Sequence, residues 1–183
     1  MTDKTEEPLH WYAARVKYQT EKKIKACLES SGIEHFIPFK TVVIEYKGRK
    51  KQREKPVIPC IIFVYTTYQT ALSLPVESGY SISYFKNLTT KQIQIIPDKQ
   101  MQDCMFLFTF SDKTFKIGNA NLKKGDRVRV VRGPFMGIEG ELVRIKGHKR
   151  VVVRLEGVFS LVTTYIPGEY LERIESTNYT NLH

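Results

Sequence analysis

The strongest constraint on the fold is the glycine-rich stretch over residues 125–140. Its first part, Arg127–Val131, alternates basic and β-branched residues, so its alternate valines fall on one face of a strand. Gly133 and Pro134 then require a turn, because glycine accepts a positive φ and proline cannot donate to a strand ladder. A second strand follows over Glu141–Ile145, and the glycines beside it predict a bulge or a close backbone approach.

The residues after position 124 carry only short β patterns. Before them, over residues 111–124, apolar residues become rare while glycine, asparagine and lysine appear, so we place a linker there. Many short strands in a small segment predict a closed barrel, since closure removes exposed sheet edges. The predicted strands are Arg127–Val131, Glu141–Ile145, Arg150–Leu155, Val158–Tyr165 and Tyr170–Ile174.

The residues before the linker mix strand and helix patterns. Lys47–Lys55 is strongly basic and separates two β segments, which predicts a hairpin with a basic tip. The return arm is nearly all apolar, which is typical of a central strand with both faces covered. The pattern as a whole predicts an α+β fold, one mainly antiparallel sheet with helices against it. The predicted elements are strands His10–Lys17, Lys40–Tyr46, Pro56–Tyr65, Tyr80–Phe85 and Gln92–Ile96, and helices Thr20–Ser31, Thr67–Leu74 (ended by Pro75) and Pro97–Phe110.

Composition narrows the class of partner. The net charge of +10 and the pI of about 9.5 favour a polyanion such as nucleic acid, although such a charge also serves solubility. No apolar run has the length of a membrane span, and the polar N-terminus has no secretory signal. The three cysteines stand far apart among apolar neighbours, which indicates core residues in a reducing cytoplasm. We therefore expect a cytoplasmic protein without membrane contact.

Motifs for catalysis, metal or cofactor binding are absent from the sequence. The four histidines have no metal-ligand spacing, and the glycines of 133–140 lack the Lys-Ser/Thr of a phosphate loop. Cys27 and His35 could pair as nucleophile and base, but no third group aligns with them and Cys27 lies on an apolar helix stripe. We expect no enzyme, no metal and no cofactor.

Three features remain for surface recognition. The first is the basic run Lys47–Lys55, which suits nucleic-acid phosphates or an acidic protein loop. The second is a basic group on the first strand and helix, which could also be a solvated face. The third is a set of large apolar side chains, which either fill the core or form a partly exposed interface. The second group is Arg15, Lys17, Lys22, Lys23 and Lys25, and the third is Trp11, Tyr18, Phe36, Phe39, Ile58, Pro59 and Ile61.

These features together resemble the NusG family of transcription elongation factors. The first part resembles the NusG N-terminal (NGN) domain in its Trp11–Tyr12 strand, the helix after it, its basic hairpin and the apolar strand from Val57. The second resembles a KOW domain, a small five-stranded SH3-like barrel, with Gly125–Val130 and Gly133–Gly140 as its signature. The resemblance implies an NGN domain over 10–110 and a KOW domain over 125–175, joined by the linker.

The resemblance also implies a function. In this family the N-terminal domain binds the clamp helices of RNA polymerase through an apolar patch, bridges the main channel and suppresses pausing. Where the family has an aromatic-Pro-Gly/Asn-Tyr strand start, this chain has Ile58, Pro59, Cys60 and Ile61, so the apolar character is kept but the aromatic residues are lost. The residues implied for polymerase binding are Trp11, Tyr18, Phe39, Ile58, Pro59 and Ile61.

Further partners follow from the same resemblance. Basic residues beside the patch imply contact with non-template DNA or nascent RNA, and the KOW domain implies a ribosomal protein, a termination factor or RNA. The nucleic-acid candidates are Lys17, Lys22, Lys23, Arg49, Lys50, Lys51 and Arg53, and the KOW-partner candidates are Arg129, Arg132, Phe135 and Met136. For Phe135 and the two arginines, barrel packing and solvated charge are the alternatives.

The departures from a general NusG sequence indicate a specialised paralogue. The chain resembles the RfaH and UpxY-type antiterminators, the latter attached to capsular polysaccharide operons, and we expect a monomer that suppresses pausing or termination. The alternative is a KOW-type RNA-binding protein of the ribosome or of ribosome assembly, because KOW domains also occur there.

Overall fold

A computed structural model describes residues 7–110, 115–118 and 125–174. The predicted linker over 111–124 and the residue at 175 therefore lie partly or wholly outside the described residues. Contacts divide the chain into two compact units, with the division between Ile95 and Ile96. Within the described part of the chain, no helix combines the length and the apolar character that crossing a membrane requires.

The first unit is built on an antiparallel sheet. The strands run in the order β2-β5-β1-β6, with β7 also paired to β1, and β3 and β4 form a separate two-stranded ribbon. The prediction of an antiparallel sheet with flanking helices is confirmed for this unit. Its elements are β1 (His10–Val16), α1 (Glu21–Ser30), β2 (Glu34–Phe36), β3 (Phe39–Tyr46), β4 (Arg49–Pro56), β5 (Ile61–Thr66), α2 (Tyr68–Ser78), β6 (Ile82–Tyr84) and β7 (Ile95–Ile96), the last at the division.

The core of this unit lies between one face of the sheet and the first two helices. Alternate residues of β1, namely Tyr12, Ala14 and Val16, pack against residues of β5, α1 and α2. Three consecutive residues of β5, Ile62–Val64, are fully buried. The predictions that β1 places these three residues on one face and that β5 is central, with both faces covered, are confirmed.

Helix α2 differs from its prediction. Thr67 caps it, since its side chain accepts a hydrogen bond from the backbone N–H of Thr70 at 3.2 Å. Pro75 was expected to end the helix, but it lies inside the last turn and the helix continues to Gly79 at φ 67°. The prediction was wrong because proline near a helix C-terminus loses one hydrogen bond yet keeps a helical φ.

The basic run also differs from its prediction. It was expected to form the tip of a hairpin, but residues 49–56 form strand β4, and the turn is confined to Lys47 and Gly48, both at positive φ. The predicted return arm is likewise divided, because β5 begins only at Ile61. Residues 57–60 leave the ribbon and lead into the main sheet.

The second unit is built on a six-stranded sheet. Its path is β13-β9-β10-β11-β12-β8, with antiparallel neighbours. All five predicted strands are present with shifted ends, and a sixth, β8, lies inside the predicted linker. Closure into an SH3-like barrel stays a prediction. The elements are α3 (Asp98–Phe108), β8 (Phe115–Gly118), β9 (Arg127–Val130), β10 (Glu139–Ile145), β11 (His148–Leu155), β12 (Phe159–Thr163) and β13 (Leu171–Arg173).

The glycines of the opening stretch have the roles that their positions predict. Gly133 has φ 83°, as the turn requires. A Cβ on Gly140 would clash with the carbonyl oxygen of Val152, so the two strands approach too closely for any side chain there. Val128 and Val130 are both buried, which confirms their common face.

Candidate functional site

Two loops of the first unit meet at the end of strands β1 and β5. The backbone N–H of Val16 donates to the carbonyl oxygen of Cys60 at 3.0 Å. The N–H of Cys60 in turn donates to Oε1 of Glu21 at 2.9 Å, and Glu21 is buried at the start of α1. The carboxylate of Glu21 therefore holds together the loop after β1 and the loop before β5, although Glu21 and Cys60 are 39 residues apart in the sequence.

Cys60 has a backbone conformation that favours glycine or asparagine. Its φ is 62°, in the left-handed region, which costs a residue with a Cβ roughly 1 kcal/mol. The motif that this chain resembles has glycine or asparagine at this position. The hydrogen bond that the N–H of Cys60 donates to Glu21 stabilises the strained conformation, and strain of this kind concentrates at functional surfaces.

Apolar side chains on these loops and at the adjoining strand ends reach solvent to different degrees. Tyr18 is 64% exposed and Pro59 is also exposed, while Phe39 and Ile61 are half-buried. Phe39 packs partly against the core, and its neighbour Pro38 accepts a hydrogen bond from the N–H of Val57 at 2.7 Å. We call Tyr18, Phe39, Pro59 and Ile61 the loop surface.

Two residues expected to bind polymerase are interior in this structure. Trp11 and Ile58 are each only 5% exposed. The Trp11 ring lies 5.2 Å from the ring of Tyr65, its direct neighbour across β1 and β5. In this structure both residues support the sheet and the loop and present almost no surface.

The basic residues beside the loop surface are exposed. Nζ of Lys22 lies 2.8 Å from Oε2 of Glu54 and 5.9 Å from the centre of the Phe39 ring. The hydrogen bond from Lys22, together with its charge, lowers the pKa of Glu54 below its ordinary value. Lys17 and Lys23 are also exposed, so the loop surface has a basic margin.

The ribbon carries the remaining nucleic-acid candidates. All four, Arg49, Lys50, Lys51 and Arg53, lie on β4 and are exposed. They pair in register with β3, and this register decides which side of the ribbon each side chain occupies.

The candidates of the second unit divide into buried and exposed residues. Phe135 is only 4% exposed, and its ring lies 5.2 Å from that of Phe110. Arg129 forms an ion pair with Glu139 at 2.7 Å. Arg132 is exposed and Met136 is 65% exposed. Of these four, Arg132 and Met136 present the most surface to a partner. Phe135 is packed in the interior, which was the alternative prediction for this residue.

Sequence reasoning missed the buried carboxylates, two of which, Glu21 and Asp103, each accept a backbone N–H. Neither residue was among the candidate site residues. Asp103 accepts the N–H of Glu139 at 3.1 Å and pairs with Lys99, which also donates to the carbonyl oxygen of Gly137 at 2.9 Å. Burial raises the pKa of Asp103 despite these bonds. A lone acidic residue beside an apolar helix stripe is the signal that could have identified Asp103.

Metal ligands and cysteine thiols are the remaining groups of chemical interest in the described parts of the chain. Within residues 7–110, 115–118 and 125–174, no cluster of three or more His, Cys, Asp or Glu could hold a metal ion. Cys104 is buried, which raises the pKa of its thiol, while Cys27 and Cys60 are half-buried and unbridged.

The fold and the loops define a two-part protein in which an α+β unit precedes a strand-rich unit with a KOW turn. The family described as "Transcription termination factor nusG" matches residues 9–105, and the "KOW motif" matches residues 124–154. The first match covers more than half of the chain, so this protein belongs to the NusG family.

Individual relatives are similar at a lower level. Proteins called "Transcription termination/antitermination protein NusG" from Streptococcus pyogenes serotype M1 and from serotype M18, strain MGAS8232, are 26% identical over 113 residues. That region is 62% of this chain and 63% of theirs, so the chain spans less than two thirds of the length of these curated relatives.

Proposed function

We propose that this chain is a non-catalytic transcription elongation and antitermination factor that binds RNA polymerase and suppresses pausing or termination. Membership of the NusG family supports the proposal. The observation that carries it is the loop surface, where Tyr18 and Pro59 are exposed while a buried carboxylate holds their loops together.

The loop surface suits an apolar protein partner, for which we propose the clamp helices of RNA polymerase. Aromatic side chains contribute much of the binding energy at interfaces, and a loop ordered in advance loses little entropy on binding. Tyr18 would be the main contact and Pro59 a rigid one, with Lys17 and Lys23 at the charged margin. Trp11 and Ile58 would act from the interior, by supporting the sheet and the loop.

The second unit would recruit a further partner. Arg132 and Met136 are the exposed candidates, with Arg129 beside them in its pair with Glu139. The partner that we propose is a ribosomal protein or a termination factor. This role leaves the first unit free to remain on polymerase in the cytoplasm.

We also propose that the factor is specific to one operon, a capsular polysaccharide locus. The support is the departure at Ile58, Cys60 and Ile61 from the aromatic and glycine residues of the general motif. Deleting the gene and sequencing total RNA tests this point. Loss of distal transcripts from one long operon is expected, and a uniform change across many operons would contradict it.

Transcription in a purified system tests the function itself. RNA polymerase on a template with a pause and a terminator should read through more often when the wild-type chain is present. Tyr18→Asp should abolish that effect and prevent polymerase from retaining the protein in a pull-down, since a charge would be buried at an apolar contact. Leu88→Asp, at an exposed apolar residue of the same unit, is the matched control and should behave as wild type.

The alternative is a KOW-type RNA-binding protein of the ribosome, for which the KOW match over 124–154 and the net charge are the support. It predicts cosedimentation with ribosomal subunits and a steep dependence on salt. Retention by polymerase without cosedimentation would decide against it.

A further inference from the structure

Helix α2 has apolar side chains on its outer face as well as on its inner face. Ala71 and Leu74 are buried in the core of the first unit. Tyr68, Leu72 and Val76 recur at every fourth residue, so they form a row, and all three are exposed. We call these three residues the α2 row. A surface helix normally has polar residues on its outer face, so an apolar row there indicates a surface that a partner covers.

The charge beside the α2 row is opposite in sign to that of the whole chain. The chain has a net charge of +10, yet the only charged residue of α2 is Glu77, which is exposed. At the first turn of the helix, Oε2 of Glu7 accepts the N–H of Gln69 at 3.4 Å, which places a second carboxylate there. The row therefore has a carboxylate near each end, which disfavours a polyanion as its partner.

The loop surface has the complementary character. Its residues are apolar or aromatic, and Lys17 and Lys23 at its margin are exposed. Lys22 already pairs with Glu54 at 2.8 Å, so Lys17 and Lys23 are the cations that a partner carboxylate would face. An apolar row between carboxylates thus matches an apolar surface with a basic margin. Charge complementarity of this kind orients one surface on another.

The two surfaces do not cover each other within one copy of the chain. Ile61 of the loop surface begins β5, whereas Tyr68 follows the opposite end of that strand at Thr66. A strand of six residues spans about 20 Å, and Tyr18 and Val76 are both largely exposed. A second copy can bring the two surfaces together, because every copy has one of each.

We propose that the α2 row of one copy binds the loop surface of a second copy, head to tail. Tyr68, Leu72 and Val76 would lie against Tyr18 and Pro59, with the carboxylates beside the lysines. Three or four side chains on each copy cover less than the roughly 800 Å² per partner of a stable complex, so the contact is weak and depends on concentration. The second copy would occupy the surface assigned above to polymerase, so the monomer expected from the sequence is the form that binds polymerase.

A head-to-tail contact differs from a symmetric one in its response to mutation. Each copy in a pair keeps one surface uncovered, so association continues beyond the dimer. Leu72→Asp changes only the α2 row, and Tyr18→Asp changes only the loop surface. Both residues are exposed, so the variants should fold, which circular dichroism checks. Leu88→Asp, at an exposed apolar residue outside both surfaces, is the matched control.

Sedimentation equilibrium of the full chain, from about 10 µM to about 1 mM, measures the association. The average mass of wild type and of Leu88→Asp should rise beyond that of a dimer as the concentration increases. Leu72→Asp and Tyr18→Asp, each alone, should associate about tenfold more weakly, since a charge is placed in an apolar contact. An equimolar mixture of these two should form a dimer with wild-type affinity and nothing larger, because each supplies the surface that the other lacks.

Three results would overturn the proposal. The first is a wild type that stays monomeric over this range, and the second is unchanged association of Leu72→Asp. The third is a mixture that fails to recover the dimer, because it would indicate a symmetric contact or another surface. Association should also weaken between about 50 and 200 mM salt, since exposed charges are screened, and association that strengthens would contradict the role of the lysines and carboxylates.

A polymerase pull-down separates this proposal from the proposed function. Leu72→Asp keeps the loop surface and should be retained by polymerase as wild type is. A wild type that is retained but never self-associates would contradict the head-to-tail contact alone. A wild type that self-associates but is not retained, even at concentrations where it is monomeric, would contradict the proposed function alone.

Discussion

Two turns of this molecule, one in each unit, both have residues at positive φ but differ in which residue types occupy those positions. Residues 57–60 lead from β4 to β5, and residues 132–137 join β9 to β10. The first turn presents Pro59 to solvent and has a cysteine at φ 62°. The second buries Phe135 and has glycine at both of its positive-φ positions, Gly133 and Gly137. Each turn buries one apolar side chain, Ile58 in the first and Phe135 in the second, but only the first has a residue with a Cβ in the left-handed region.

Both turns are held by buried carboxylates on helices. Glu21 of α1 accepts the N–H of Cys60, and Asp103 of α3 accepts the N–H of Glu139, next to the second turn. The difference is in what the carboxylate supports. In the first unit it maintains a conformation that costs energy, which is a feature of binding sites. In the second unit the carboxylate accepts an N–H beside a turn whose positive-φ positions are glycines and carry no such strain.

The largest expected effect is at the buried aromatic of the second turn. Phe135→Ala should lower the free energy of unfolding of the second unit by about 3–5 kcal/mol, since it leaves a cavity. Met136→Ala, one residue away and exposed, should change it by less than about 0.5 kcal/mol. Hydrogen exchange of peptides from the second unit measures both. Similar values for the two would remove the distinction between a buried and an exposed position.

The next effect concerns the carboxylate that holds the first turn. Glu21→Ala should destabilise the first unit by about 2 kcal/mol, because the N–H of Cys60 loses a buried acceptor. Glu21→Gln keeps an acceptor oxygen and should cost less. Trp11 is the single tryptophan, so its fluorescence during urea unfolding reports on the first unit. If alanine and glutamine are tolerated equally, the bond to Cys60 does not stabilise the loop.

A smaller effect tests the glycine of the second turn. Gly133→Ala should cost about 1–2 kcal/mol, because alanine disfavours a φ of 83°. The new Cβ would also lie 3.1 Å from the Tyr170 ring. Urea unfolding followed by circular dichroism measures the change. A neutral result would mean that the turn can adopt another conformation at little cost.

The smallest effect has the opposite sign. Cys60→Gly should stabilise the first unit by roughly 0.5 kcal/mol, since relief of the left-handed strain slightly exceeds the entropy that glycine loses on folding. Trp11 fluorescence in urea again gives the value. A clear loss of stability would show that the thiol contributes packing that outweighs the strain.

The sequence allowed the local elements to be predicted but not the long-range contacts. The alternating valines of β9 depend on neighbouring residues, so they could be recognised. The first turn could not, because it depends on Glu21 and Val16, which are remote in the chain from Cys60. The division of the predicted return arm at residues 57–60 has the same origin.

The residue types of the candidate site follow from the sequence, whereas their exposure does not, and their role in binding stays a prediction. Residue type alone does not reveal whether an apolar side chain is covered, so Trp11, Ile58 and Phe135 were grouped with Tyr18 and Met136, although burial separates them. The basic residues were recognised as a group, but assigning each to a side required the register of β3 and β4. A strand register depends on pairing between segments and is weakly encoded in a ribbon of exposed residues.

The affinity for RNA polymerase of two aspartate variants, one in each turn, tests the central claim most directly. Pro59→Asp places a charge on the loop surface and should weaken binding at least tenfold, or about 1.4 kcal/mol. Met136→Asp makes the corresponding change at the exposed apolar residue of the second turn and should leave the affinity within about twofold, less than 0.5 kcal/mol. Equal affinities for both variants and wild type would contradict the claim that the first turn is the polymerase contact.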